Sequence, residues 1–424
     1  MTDARIEACY LIETPLDPAK VAAIMAGEQS SGTFVKVAGE TEDLRARAAA
    51  QVLRVEELES VDRPGLASAY LERRGARGPY SPARVRIAYP FANMGANLPT
   101  LAATVAGNLY DLGEVTGLRL LDVATPSAVR DRFERPSHGV AGTRRALGVE
   151  GRPLFGTILK PNVGLRPDEI AALVGALCEA GVDFIKDDEI CADPLHAPIA
   201  ARAPAVMKVV RDYRERTGRD VMVAFNVTDE TDAMRRHADL VEREGGSCVM
   251  ASLNWCGLSA VQTLRRSTPL ALHGHRNGYG AFARHPLLGI GFDAYQALYR
   301  LAGVDHLHVH GVDGKFSDAA EEVESAARRC LAPLAFDAVG ATDAVLPAFS
   351  SGQWAGTLPR TAQAAGSQDF LFMAGGGILA HPGGPAAGVR SLRQAWEAVS
   401  SGETLERAAA RHRDLAAALD FFGA

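Results

Sequence analysis

The sequence predicts an α/β protein in which a (β/α)₈ TIM barrel follows a smaller α+β, ferredoxin-like N-terminal domain. Two patterns predict the barrel: apolar runs of five to nine residues recur eight times from Leu154 onward, and helix-length amphipathic segments separate them. Eight strand-helix units within roughly 250 residues match the size of such a barrel. The 424-residue length leaves room for one further domain before it.

The N-terminal domain is predicted over residues 1–125, where short strands and helices mix. IEACYLIE and VRIAYP favour strands, whereas DPAKVAAIMAGEQ and LPTLAATVAGNLY favour helices. Residues 126–153 are rich in proline, glycine and charge, without sustained periodicity over the first half, and are predicted to be a linker. The barrel with its C-terminal helices is predicted over residues 154–424.

The eight barrel strands are assigned to apolar runs that carry polar groups at their ends. In chain order the runs are LFGTILKP, DFIKDDE, DVMVAFNVT, CVMASLN, PLALHGHR, DHLHVHG, PAFSSG and FLFMAGGG. A doubly wound open sheet is the alternative, but it calls for a G-x-G-x-x-G fingerprint after its first strand. GTILKPNVG lacks that fingerprint, so the barrel is favoured.

Composition excludes several classes of function. The 45 Lys and Arg against 51 Asp and Glu give a formal charge of −6, which offers no basic field to nucleic acid. No apolar stretch approaches the ~18 residues of a membrane span, and the polar start does not resemble a signal peptide. The six cysteines lie far apart with no C-x-x-C pair, so neither a disulfide framework nor a zinc knuckle is expected. A cytoplasmic protein without membrane or nucleic-acid partners is predicted.

Polar groups at the carboxyl ends of barrel strands face the active site, so the end of the second run is the first candidate. Strand alternation places Lys186 and Asp188 on one side, and Glu189 is free to turn as the strand ends. Two carboxylates suit Mg²⁺. The lysine among them is explained if it is ion-paired or is converted into an oxygen ligand. The alternative is a strand end that is merely ion-paired.

Other strand ends carry groups suited to proton transfer and to binding anions. Lys160 ends the first run and could move a proton at a carbon next to a carbonyl, although a lysine covering the barrel rim is the commoner role. Histidines at i, i+2 can point into one cavity. Glycines let backbone N–H groups approach an anion, although a GGG triplet alone is often just a turn. The remaining candidates are His273, His275, Arg276, His306, His308, His310, Ser350, Ser351, Gly352, Gly375, Gly376 and Gly377.

Together these motifs resemble the large subunit of ribulose bisphosphate carboxylase (RuBisCO), and more closely its form IV relatives, the RuBisCO-like proteins. GVDFIKDDE is similar to the metal motif of that family, which implies that Lys186 adds CO₂ to form a carbamate and holds Mg²⁺ with Asp188 and Glu189. GTILKPNVG is similar to the first-strand motif and implies that Lys160 transfers protons. The resemblance implies further site residues: His275 near the enolised carbons, Arg276 and His308 around a phosphate or substrate tail, Lys315 gripping a carboxylate, and Ser350, Gly352, Gly375 and Gly376 binding substrate or phosphate.

The resemblance extends into the first domain. EQSSGTF is similar to the family's E-S-S-T-G-T-W and keeps Glu28 and Thr33, while Asn108 in VAGNLY matches an active-site asparagine. In the family these residues reach the barrel of a partner subunit. The resemblance therefore implies a homodimer, or a multiple of dimers, with shared sites.

Departures from the carboxylase pattern bear on the reaction. Asn162 replaces a second lysine, Tyr279 replaces a histidine, and Val309-His310 replaces a small Ser-Gly pair. Because the metal ligands, phosphate donors and Lys315 remain, the substrate is expected to be a phosphorylated keto sugar or sugar acid. Among the reactions known for RuBisCO-like proteins, we predict a Mg²⁺-dependent carboxy-lyase that decarboxylates 3-oxo-isoapionate 4-phosphate. The alternatives are an isomerase acting on 5-methylthioribulose 1-phosphate, ribulose bisphosphate carboxylase itself, and a sugar-phosphate binder without turnover.

Overall fold

The computed structural model describes residues 4–32, 39–340 and 343–423, which form two compact units. One unit comprises Met1–Arg135, Gly278–Ala302 and Pro333–Ala341, and the other comprises Pro136–Asn277, Gly303–Ala332 and Thr342–Ala424. Both units are therefore discontinuous in sequence.

The strands fall into one open sheet and one closed barrel. In chain order they are β1 (Arg5–Thr14), β2 (Gln51–Glu57), β3 (Ser81–Pro90), β4 (Gly117–Ala124), β5 (Leu154–Ile158), β6 (Phe184–Lys186), β7 (Met222–Asn226), β8 (Cys248–Ser252), β9 (Ala271–His275), β10 (Leu288–Ile290), β11 (His306–His308), β12 (Leu346–Phe349) and β13 (Leu371–Met373).

Helices connect most of these strands, and three short 3₁₀ segments accompany them in the described residues. The α-helices are α1 (Pro18–Glu28), α2 (Glu42–Ala48), α3 (Ala69–Arg73), α4 (Leu98–Ala106), α5 (Ser127–Arg130), α6 (Gly139–Leu147), α7 (Pro167–Ala180), α8 (Ile199–Thr217), α9 (Thr231–Arg243), α10 (Leu253–Ser267), α11 (Gly280–Ala283), α12 (Phe292–Leu301), α13 (Ala320–Leu331), α14 (Leu358–Ala365), α15 (Gly375–Leu379), α16 (Gly384–Ser401), α17 (Leu405–Ala409) and α18 (Arg413–Phe422). Over the described ranges, no helix combines the length and the apolar character that crossing a membrane requires.

The open sheet confirms the predicted α+β domain. Its order is β10-β4-β1-β3-β2, with β1 antiparallel to both β3 and β4. Ile6, Ala8, Tyr10 and Ile12 are fully buried, and the residues between them are only partly buried, so β1 has one face on the core. The alternation in IEACYLIE therefore identified this strand correctly.

The second unit confirms the predicted barrel. The parallel strands close in the order β5-β6-β7-β8-β9-β11-β12-β13, and all eight predicted runs contribute a strand. Their interior is filled by apolar side chains, including Leu154, Phe184, Met222 and Met250. Both faces of such strands are covered, which is why they appear in the sequence as continuous apolar runs.

The two units divide the chain differently from the predicted boundaries. The predicted linker, residues 126–153, contains α5 and α6, and Leu147 of α6 belongs to the barrel core. Residues 278–302, predicted within the barrel, group with the first unit because β10 pairs in parallel with β4. A three-residue strand carries too little pattern to be recognised from sequence.

Candidate active site

Charged side chains gather where β5 and β6 end. Lys186 is the last residue of β6 and only 1% exposed; its Nζ donates to the Asp187 carbonyl at 2.9 Å and lies 3.4 Å from Glu189 Oε2. Lys160 Nζ lies 2.8 Å from Asp188 Oδ2. The structure thus brings together the two lysines and two carboxylates predicted from sequence, and the Lys186 amine points away from bulk water.

Burial shifts the ionisation of this cluster. It lowers the pKa of Lys186, so the neutral amine, the form of lysine that can react with CO₂, is easier to reach than in an exposed lysine. Burial acts to raise the pKa of Glu189, but the charges of Lys186 and His275 lower it to about 2. Glu189 is therefore ionised at neutral pH.

The donor set fits a magnesium ion under one condition. In the described part of the chain, no three His, Cys, Asp or Glu side chains are grouped to hold a metal. Asp188 and Glu189 offer hard carboxylate oxygens, and the third group beside them is Lys186. An ammonium is no ligand, whereas a carbamate on Lys186 would supply the oxygen donors that Mg²⁺ prefers. The residues therefore fit Mg²⁺ together with a modified lysine.

Two buried side chains that the sequence analysis did not single out support the metal motif. Asn226, the last residue of β7, donates from Nδ2 to the carbonyls of Asp188 and Glu189 at 3.0 and 3.1 Å. Arg202 on α8 pairs with Asp187 at 3.0 Å, and both side chains are buried. Asp187 thus faces away from the cluster and ties β6 to α8, while Asn226 holds the backbone of the two candidate ligands.

The ends of β9, β11 and β12 contribute two predicted histidines and a predicted serine. His275 Nε2 lies 3.5 Å from Glu189 Oε2, and its ring centroid lies 4.3 Å from that of His308. His308 Nδ1 lies 3.0 Å from Ser350 Oγ. His275 therefore adjoins the metal motif, and it connects that motif to His308 and Ser350. His273 and His306 are both buried and contact each other, and His273 also contacts His308.

Arg276 is already paired within the barrel unit. Its Nη2 donates to Asp318 Oδ2 at 2.5 Å, and the Nδ1 of His310 lies 2.7 Å from the same oxygen. His310 has a left-handed φ of 66°, which is uncommon for a residue other than glycine. Asp318 is thus the counter-ion of Arg276 and the hydrogen-bond partner of His310. The sequence analysis did not identify Asp318 as a site residue.

The remaining predicted residues of the barrel lie in loops or at the start of a short helix. Lys315 is exposed, with Nζ 5.3 Å from the Phe316 ring centroid, and makes no hydrogen bond or ion pair among the described residues. Gly352 has a φ of 76°, and a Cβ there would lie 3.9 Å from the backbone nitrogen of Lys315, so the two loops adjoin. Gly375 and Gly376 begin the short helix α15, rather than forming the simple turn considered from sequence.

In the first unit, two of the three predicted residues contact each other. Asn108 Nδ2 donates to Glu28 Oε1 at 3.3 Å, and both side chains are exposed. Thr33, the third, lies outside the described residues. The structure therefore places the predicted pair at one exposed position of this unit.

Comparison with known proteins decides the family. Residues 139–422 match the family model of the ribulose bisphosphate carboxylase large chain, catalytic domain, and residues 3–129 match that of its N-terminal domain. The chain belongs to this family. A crystal structure of a rubisco-like protein from Burkholderia fungorum is 63% identical, covers 98% of this chain and 99% of its own, and superposes with a TM-score of 0.93.

Curated relatives of this RuBisCO-like chain differ in their named reactions. A 3-oxo-isoapionate-4-phosphate transcarboxylase/hydrolase of Xanthobacter autotrophicus is 47% identical over 99% of both chains. A 3-oxo-isoapionate-4-phosphate decarboxylase of Rhizobium rhizogenes is 41% identical over 97% of both chains. Both names share one substrate, a β-keto acid with a single phosphate.

Proposed function

We propose that this RuBisCO-like protein is a carboxy-lyase that decarboxylates 3-oxo-isoapionate 4-phosphate. The observation that carries the proposal is the buried amine of Lys186, flanked by Glu189 and by Asp188, which itself holds Lys160. Such a cluster suits the formation and protonation of an enediolate, and the named relatives supply the substrate. The retained Lys315 supports a reaction at a carboxylate.

The metal and the carbamate belong to the same proposal. Lys186, as a carbamate, would hold Mg²⁺ with Asp188 and Glu189, and the ion would polarise the keto oxygen of the substrate. Asn226 keeps the two carboxylate residues in place through their carbonyls. Such second-layer contacts commonly strengthen metal binding.

The chain's own groups account for the remaining steps. Lys315 orients the substrate carboxylate. When the bond between that carboxylate and its carbon breaks, its electron pair moves toward the keto oxygen, CO₂ leaves and an enediolate remains. Lys160, 42% exposed and held by Asp188, then donates a proton to carbon, while His275 lies beside the reacting carbons.

The other substrate contacts follow the predicted set. We propose that Arg276, Ser350, Gly352, Gly375 and Gly376 bind the tail and phosphate of the substrate, and that His308 contributes to this binding through Ser350. His308 and Ser350 are bonded to each other, so they act as one unit.

A transcarboxylation followed by hydrolysis is the second candidate, because the relative named for that activity is the more similar, at 47% against 41% identity. The same enediolate machinery would serve, but the carboxyl carbon would remain in a product. The two reactions therefore differ in the fate of one carbon atom.

A labelled substrate separates these possibilities. We would incubate the protein with Mg²⁺, bicarbonate and 3-oxo-isoapionate 4-phosphate labelled with ¹³C in the carboxylate. We expect labelled CO₂ and a ketose phosphate, both abolished in Lys186→Ala and retained in Lys208→Ala, a surface control. Label recovered in an organic acid would establish the second candidate. Turnover of 5-methylthioribulose 1-phosphate alone, or no turnover, would reject both.

A homodimer with shared sites is also proposed. The hydrogen-bonded pair of Glu28 and Asn108 is exposed and so is available to a partner subunit. Mixing an Asn108→Ala variant with a Lys186→Ala variant is expected to restore activity, because a mixed dimer contains one intact site. Absence of restoration, with mixed dimers shown by mass spectrometry, would contradict shared sites.

The scattered cysteines and balanced charge support a cytoplasmic location.

A further inference from the structure

A continuous line of hydrogen-bonding side chains runs through the interior of the barrel unit. It starts at Thr143 on α6 and ends at Ser350 after β12, with three imidazoles between them. The successive contacts are Thr143 Oγ1 to His306 Nε2 at 2.7 Å, His306 Nδ1 to His273 Nδ1 at 3.4 Å, His273 Nε2 to His308 Nε2 at 2.8 Å, and His308 Nδ1 to Ser350 Oγ at 3.0 Å.

The line is enclosed by protein. Thr143 and His306 are fully buried, and His273 and His308 are 1% and 2% exposed. The Phe184 ring lies against two of the imidazoles, with centroid distances of 5.1 Å to His273 and 5.7 Å to His306. Burial lowers the pKa of all three histidines, and that of His306 to about 4. Each imidazole is therefore neutral at pH 7, with one donor and one acceptor nitrogen.

The hydroxyl of Thr143 sets the direction of every bond. Its Oγ1 lies 2.6 Å from the Gly139 carbonyl oxygen, which can only accept, so the hydroxyl proton points there. Thr143 must then accept from His306 Nε2–H, which leaves His306 Nδ1 as an acceptor from His273. The same rule makes His273 Nε2 accept from His308.

The far end of the line follows in the same way. Because His308 donates through Nε2, its Nδ1 carries no proton and is an acceptor. In the bond between His308 Nδ1 and Ser350 Oγ, the serine hydroxyl must therefore be the donor. The Ser350 proton is therefore committed to His308, and its oxygen offers only lone pairs to other groups.

We infer that Thr143, His306 and His273 are positioning residues that hold Ser350 as a hydrogen-bond acceptor toward the substrate. Ser350 then selects a substrate hydroxyl, which can donate, over a phosphate or carboxylate oxygen, which cannot. This inference rests on the proposed function only in placing Ser350 against the substrate. Gly352 and the start of α15 remain for the phosphate.

Neutron crystallography of the substrate-free protein in D₂O tests the bond directions directly. We expect deuterium on Nδ1 of His273, on Nε2 of His306 and His308, and on Ser350 directed at His308. Deuterium on Nδ1 of His308 or on Nε2 of His273 would overturn the inference. This measurement does not depend on which reaction the protein performs.

Kinetics with 3-oxo-isoapionate 4-phosphate tests the positioning role. Thr143→Val removes the group that sets the direction, and we expect KM to rise about tenfold with kcat changed less than threefold, as for loss of one hydrogen bond. Thr143→Ser should restore the KM. Ser391→Ala, which removes another fully buried helical hydroxyl, should leave KM unchanged. If Thr143→Val has the KM of the wild type, or if Ser391→Ala raises KM equally, the positioning role is refuted. If the wild type is inactive on this substrate, the proposed function is rejected, and the neutron structure alone tests the inference.

Discussion

Replacing Asp318 by Asn should expose the role of the ion pair at the end of β9. Arg276 is 3% exposed, and the Asp318 carboxylate, 2.5 Å away, is a charged partner that compensates its guanidinium. Removing one partner of a fully buried pair costs about 3–5 kcal/mol. The Asp318 side chain is 24% exposed, so water screens part of this, and we expect a loss of about 2 kcal/mol.

The same substitution should make stability depend on anions. With its carboxylate gone, the buried Arg276 can be compensated by a small anion that binds the folded protein alone. Such binding stabilises by about 2.7 kcal/mol when the anion is present at 100 times its Kd. Phosphate should therefore restore most of the lost stability of Asp318→Asn, while the wild type, whose Arg276 keeps the Asp318 carboxylate, should gain less stability from phosphate.

Thermal unfolding in sodium phosphate and in sodium chloride of equal ionic strength measures this difference. Equal ionic strength is needed because salt screens the interactions between surface charges and so changes stability in any protein. Asp313→Asn is the matched control, because Asp313 lies on the same loop but is exposed and 4.0 Å from Arg360. The reasoning is refuted if Asp318→Asn is as stable as the wild type, or if both respond equally to phosphate.

Three further outcomes are expected. Asp187→Asn leaves the buried Arg202 unpaired and should lower the free energy of unfolding in urea by about 3–5 kcal/mol; a loss below about 1 kcal/mol would contradict a structural role. Asn226→Ala should weaken Mg²⁺ binding measured by calorimetry about 10–100-fold, while Asn254→Ala, in the first turn of α10, should not; equal affinities would argue against support of the metal ligands. As the pH is lowered from 6.5 to 4, His306 binds a proton in the unfolded chain but stays neutral in the folded protein, so this group lowers the free energy of unfolding by about 3 kcal/mol. His306→Gln should therefore reduce the slope of unfolding free energy against pH by about 1.4 kcal/mol per pH unit over this range. An unchanged slope would show that His306 titrates normally.

The candidate site was largely predictable because of how parallel barrels are built. Carboxyl ends of successive strands meet at one end of the barrel, so polar groups there lie close together whatever their separation in sequence. Lys160, Lys186 and Glu189 could be grouped on this ground, and the structure groups them. Strand alternation also separated Lys186 from Asp187, although only the structure shows that Asp187 pairs with Arg202.

Partners that depend on side-chain packing could not be predicted. Asp318 meets Arg276 across 42 positions of sequence, through a loop whose path no periodic pattern specifies. Thr143 lies in a segment predicted to be a linker, yet it bonds to His306 inside the barrel. An aspartate or threonine in a loop-like stretch has many possible partners, and only the folded chain selects one.

By itself the sequence determined which stretches become barrel strands and which charged groups meet at their ends, because burial of parallel strands and alternation of side chains are local rules. Tertiary structure alone decided that residues 278–302 join the first unit through β10, and that the hydroxyl of Thr143 orients Ser350 through three histidines. Both outcomes depend on contacts between residues that are far apart in the sequence. Such contacts form only in the folded chain, so local sequence patterns do not specify them.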